Sequence, residues 1–69
     1  MKSYLIMMES YTEAKRAARY LSSIKIHADV EKSTSRGGCA YSIHVYEQPE
    51  RICRLLSAIN VRCGRIIEK

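Results

Sequence analysis

Three cysteines, Cys39, Cys53 and Cys63, carry the nucleophilic and redox chemistry available to this sequence, and their surroundings differ. Cys39 directly follows Gly37-Gly38, with Arg36 three positions before it. Successive flexible residues can turn their backbone N–H groups into one concavity that favours an anion, and Arg36 adds positive charge there. The thiolate is the nucleophilic form of cysteine, so Arg36, Gly37 and Gly38 make a setting in which Cys39 can accept a sulfur atom. A second reading stands beside this one. Cys39 shares the alternation of Tyr41, Ile43 and Val45 and is then a small buried hydrophobe.

Cys53 falls beside the stripe Ile52, Leu55, Leu56 and Ile59, and Cys63 lies in the last apolar segment, so both read as packing residues. Nine residues lie between them, which matches no usual zinc or redox spacing. No C-x-x-C and no His pair at ligand spacing occurs, so neither a metal nor a cofactor is expected. An odd cysteine count leaves at least one thiol free and argues against a disulfide framework. His27 and His44 alternate onto polar strand faces, where solvation or hydrogen bonding is their ordinary state. Asp29 and Glu31 share an edge-strand face as solvated charges. The glycines are no phosphate cradle, because Arg36-Gly37-Gly38 leads into a strand and not into a helix N-terminus.

The elements that must position these residues follow from periodicity. Tyr4-Leu5-Ile6-Met7-Met8 is apolar throughout and reads as a strand covered on both faces, over about 3–9. Ser10-Tyr11-Thr12-Glu13 is a capping box that starts a helix. Ala14, Ala17, Ala18, Leu21 and Ile24 form its apolar stripe, with Lys15, Arg16 and Arg19 opposite, and it runs to about Ser23. From Lys25 the period becomes two, with Ile26, Ala28 and Val30 on one side of an edge strand and His27, Asp29 and Glu31 on the other. Residues Ser33 to Gly38 break the period and read as a loop or hairpin turn. Alternation resumes at Cys39, with Ala40, Ser42, His44 and Tyr46 facing away from Tyr41, Ile43 and Val45. Pro49 suits the first turn of a second helix, Asn60 its left-handed end, and Val61 to Glu68 a last strand in which Gly64 marks a bulge.

The order β-α-β-β-α-β describes an α+β, ferredoxin-like sandwich: a four-stranded antiparallel sheet with two helices on one face. The alternative is a three-stranded sheet whose last strand is swapped or paired across a dimer. The open face, with Ala40, Ser42, His44 and Tyr46 beside residues of the first strand, fits either a homodimer surface or a semi-apolar solvated sheet.

The chain has 69 residues, 46% hydrophobic and 28% charged, which makes residues 1–69 a single folded domain and disfavours disorder. A core this small is marginal alone, so oligomerisation is expected. No apolar run approaches the roughly 20 residues of a spanning helix, and Met1-Lys2-Ser3 carries no signal-peptide cleavage pattern. No membrane association is therefore expected, and the reducing cytoplasm is the expected location. The net charge of +5 is spread over helices and loops. Arg36-Gly37-Gly38-Cys39-Ala40-Tyr41 begins like an RNA-recognition signature but has Gly38 and Ala40 where stacking aromatics are needed, so nucleic acid is not expected as a partner.

The first strand followed at once by Ser10, Glu13 and Ala14, and the Ser33/Ser35 segment leading to Cys39, Ala40, Tyr41, Ser42 and Ile43, resemble the small bacterial selenium/sulfur carrier-like proteins. The closing Gly64-Arg65-Ile66-Ile67-Glu68 extends the resemblance over nearly the whole chain. In that family glycine usually follows the loop cysteine, whereas Ala40 follows it here. The resemblance implies a ferredoxin-like fold and a persulfide or perselenide held on Cys39. It also implies a sulfur or selenium donor or acceptor protein as partner, and a carrier or thiol-redox accessory role rather than an enzyme's. Without the resemblance, a non-catalytic dimeric interaction domain is the competing expectation.

Overall fold

A computed structural model of the chain describes residues 2–35 and 38–68, without the side chain of Ser35. The elements are β1 (Tyr4–Met8), α1 (Tyr11–Ser23), β2 (Ala28–Ser35), β3 (Gly38–Val45), α2 (Pro49–Ser57) and β4 (Ile66–Glu68). All four strands join one sheet in the order β2-β3-β1-β4, and every pairing is antiparallel. The chain is thus α+β, with a four-stranded antiparallel sheet and two helices. No described helix is long and apolar enough to cross a membrane.

The core lies on one side of that sheet. Ile6 and Met8 of β1 and Ile43 and Val45 of β3 are buried against Ala14, Ala17 and Leu21 of α1 and Ile52 and Leu56 of α2. Ile43 and Val45 of β3 are buried as expected, but Ser42, expected on the open face, is buried as well at 1% exposure. Ser10 accepts from the Glu13 N–H at 3.2 Å as the N-cap of α1. Pro49 occupies the first turn of α2. The apolar β1 is covered fully on the helix side only, since Leu5 and Met7 on the other side are half-buried.

Both helices end in the same way. Lys25 and Asn60 take left-handed φ angles of 65° and 59°. The Ile26 N–H donates to the Leu21 carbonyl at 2.8 Å, and the Val61 N–H to the Leu56 carbonyl at 3.1 Å. Each is a Schellman closure in which an aliphatic residue folds back onto a buried leucine. The segments 11–26 and 46–61 align without gaps and are identical at Tyr11/Tyr46, Arg16/Arg51, Arg19/Arg54, Leu21/Leu56, Ser22/Ser57 and Ile24/Ile59. The two halves of the chain therefore repeat one strand–helix–turn unit.

Three expectations are corrected. Ile24, placed on the buried stripe, is 40% exposed, because the helix closure turns the chain away at that residue. Ser33, Thr34 and Ser35 belong to β2 and not to a loop: Thr34 pairs with Cys39 and Ser35 with Gly38, so ladder hydrogen bonds prevail over loop-like composition. The last strand is only Ile66–Glu68, while residues 61–65 run irregularly along β1. There the Gly64 N–H donates to the Met7 carbonyl at 2.9 Å and the Met7 N–H to the Arg65 carbonyl at 2.8 Å.

That close approach explains Gly64. A Cβ built on it would sit 2.8 Å from the Met7 carbonyl oxygen, and a backbone atom cannot swing aside as a side chain does. Gly64→Ala should lower stability by about 1–3 kcal/mol through this overpacking. A urea melt that keeps the parent midpoint would refute the contact.

Candidate functional site

Burial along β3 decides what Cys39 is. Val45 and Ile43 are fully buried, Tyr41 is half-buried, and Cys39, on the same side of the strand, is exposed. The helix layer ends at Tyr11, the first residue of α1, whose ring lies 5.4 Å from that of Tyr41. Two residues further along a strand is about 7 Å further out, and the β2–β3 hairpin continues past the helices to carry Cys39 clear of them. The packing explanation of Cys39 is therefore wrong: parity assigned it to the core side, but no layer covers it.

Of its expected companions, Gly38 precedes it with φ of 117°, a left-handed backbone that favours glycine, and with open space where a Cβ would stand. Arg36 and Gly37 lie outside the described residues. Groups not anticipated from sequence adjoin the site instead. By register Thr34, Lys32 and Val30 lie opposite Cys39, Tyr41 and Ile43 on the same face. Tyr11, Val30, Lys32 and Tyr41 line an open groove there. The Lys32 Nζ stands 6.0 Å from the Tyr41 ring centroid and the Lys15 Nζ 5.5 Å from that of Tyr11, both cation–π arrangements. The face shared with Cys39 is thus aromatic and positively charged. Pairing each residue of β2 with its partner on β3 would have located Lys32; Lys15 and Tyr11 reach the groove only through helix packing.

The other two cysteines correct the expectation of plain packing and of no disulfide. Cys53 and Cys63 form one, with Cα atoms 5.8 Å apart and a sequence separation of ten. The chain reverses at Asn60 and returns beside α2, which brings the two side chains together. In the repeat, Cys53 and Cys63 stand where the first half has Ala18 and Ala28. Closing a loop of roughly ten residues restricts the unfolded chain by about 3 kcal/mol in the chain-entropy account.

On the sheet side away from the helices, the Glu31 Oε2 lies 3.0 Å from the His44 Nδ1, and the Asp29 Oδ2 lies 3.0 Å from the His27 Nε2. The Tyr46 ring lies tilted beside both imidazoles, its centroid 4.8 Å from that of His44 and 5.7 Å from that of His27. Asp29 and Glu31 are therefore engaged with histidines and not simply solvated. The His44 Nε2 is buried without a hydrogen-bond partner among the described residues. No group of three or more His, Cys, Asp or Glu side chains suited to a metal ion occurs among the described residues.

No protein-family model matches the chain, and no curated protein matches it.

With one free exposed thiol and one disulfide, alkylation of the native, non-reduced protein should add a single adduct, on Cys39. Three adducts should follow reduction in denaturant. Native labelling of Cys53 or Cys63 before reduction, detected by peptide mass spectrometry, would contradict this arrangement.

Proposed function

We propose that the protein is a sulfur or selenium carrier or thiol-redox accessory, with Cys39 as the acceptor. The observation that carries this reading is the exposure of the free Cys39 beyond the helix layer, near the end of the long β2–β3 ladder. A carrier needs its thiol accessible to two protein partners in turn, and a projecting hairpin offers that access. The Cys39 thiolate attacks the terminal sulfur of a donor persulfide. The donor S–S bond breaks, a new S–S bond forms on Cys39, and the donor leaves as a thiolate. The positive charge of Lys15 and Lys32 on the adjoining groove favours an anionic persulfide or an acidic partner surface. The reverse transfer delivers the atom to an acceptor.

The proposed fold is ferredoxin-like. Its support is the sheet order, which read from the short edge strand is β4-β1-β3-β2, together with the repeat of two strand–helix–turn units. The proposed location is the cytoplasm, and the proposed partners are a donor and an acceptor protein.

The test is persulfide loading. After incubation with inorganic polysulfide, mass spectrometry of the native protein should find one added sulfur atom on Cys39, removed by cyanide and absent from Cys39→Ser. Selenide added after Cys39 has been converted to a mixed disulfide with glutathione extends the test to selenium, because selenide attacks the Cys39 sulfur, the S–S bond breaks and glutathione leaves as the thiolate. Loading that is equal on Cys39→Ser, or absent from the parent protein, would overturn the carrier reading.

A second reading, a homodimeric interaction domain, draws on the sheet face away from the helices. Leu5 and Met7 are half-buried there and Ile67, opposite Leu5, is 42% exposed, a continuous apolar strip on a small protein. Sedimentation over a concentration series should then report a dimer that Ile67→Lys weakens. A strict monomer at high concentration would end this reading and leave the carrier reading standing.

A further inference from the structure

The second half of the chain is built like the first but is held less firmly. In the first half the strand after the helix, β2, is eight residues long and pairs throughout with β3. Its counterpart β4 is three residues long, and all three of its side chains are exposed. Before β4, Val61 is buried, and the two hydrogen bonds between Met7 and residues Gly64 and Arg65 tie the segment to the edge of β1. Where the first half has Ala18 and Ala28 at the corresponding positions, the second half has a covalent bond, Cys53–Cys63. Both cysteines are half-buried, and they line an open cleft together with Ser57, Asn60 and Arg62. A small molecule can reach sulfurs so placed, unlike sulfurs sealed in a core.

From this we infer that Cys53–Cys63 is a reversible thiol–disulfide site for low-molecular-weight thiols and disulfides, whose oxidised state latches residues 61–68 onto α2 and β1. This goes beyond the carrier reading and does not use Cys39. In the oxidising direction one cysteine thiolate attacks a small disulfide RSSR. One S–S bond breaks and a mixed disulfide forms, expelling RS⁻. The second cysteine thiolate then attacks the protein sulfur of that mixed disulfide and expels the second RS⁻. Two protein thiols become one disulfide, RSSR is reduced to two RSH, and the protons leaving the cysteines are taken up by the expelled thiolates. Reduction runs the same steps backwards and removes the side-chain cross-link between the terminal segment and α2. Segments with few buried contacts open at low free energy, so the effect of reduction is confined to that end of the sheet.

The experiment is a titration of the full chain in defined ratios of reduced to oxidised glutathione, quenched by alkylation and read at each cysteine by mass spectrometry. Hydrogen exchange is followed in parallel. Cys53 and Cys63 should become alkylated together, without denaturant, as the reduced fraction rises. Exchange across residues 61–68 and at Met7 should accelerate by at least about tenfold, while α1 and the β2–β3 hairpin keep their protection. The variant carrying both Cys53→Ser and Cys63→Ser should reproduce the reduced pattern at every ratio. Three results would overturn the inference: a disulfide that resists glutathione until denaturant is added, reduction with unchanged exchange at 61–68, or loss of protection throughout the chain in both the reduced protein and the double variant.

Discussion

The pairing of β1 with β3 is the constraint on which the rest depends. Ile6 and Ile43 face each other across it, both fully buried, and both helices lay their apolar stripes over this pair. Burying a large aliphatic side chain contributes roughly 1.5–3 kcal/mol, and in a chain of this size few such side chains exist. The two edge strands are attached to this centre with unequal strength. β2 rides on a long ladder with β3, whereas β4 adds three residues to β1. The long ladder projects past the helices and presents Cys39. The short one is supported by a disulfide.

The cysteines divide between these two ends, and their surroundings set different chemistry. At the hairpin end the thiol is free and stands beside a groove with two tyrosines and two lysines. At the β4 end the sulfurs are paired and half-buried against the last turns of α2. An alkylating reagent distinguishes the two by oxidation state, since Cys39 is a free exposed thiol and the pair is bonded. The Arg16 guanidinium, which donates to the Ile59 carbonyl at 3.0 Å, links α1 to the turn that leads toward Cys63. The two halves therefore remain attached through a side chain as well as through the sheet.

Much of the fold was legible. The capping box at Ser10, Pro49 at the start of α2, the left-handed Asn60 and the alternation of Tyr41, Ile43 and Val45 are local signals, each decided within a few residues by backbone geometry and side-chain periodicity. Serine and threonine misled over 33–35, because their polarity suits a loop as well as the exposed end of a hairpin. The candidate Cys39 was found from its sequence neighbours, but its status was not. Parity along β3 names a face of the sheet and says nothing of where the opposing layer stops.

By itself the sequence determined the order of the elements and most of the residues that turn inward, since these depend on hydrophobic period and on capping within one turn of chain. Tertiary structure alone decided which cysteine is free and which are paired. Exposure of Cys39 depends on α1 beginning at Tyr11, opposite Tyr41 and short of the hairpin tip. The Cys53–Cys63 bond depends on the reversal at Asn60 returning the chain alongside α2. Both are distances between segments remote in sequence, and such distances exist only once the layers have packed.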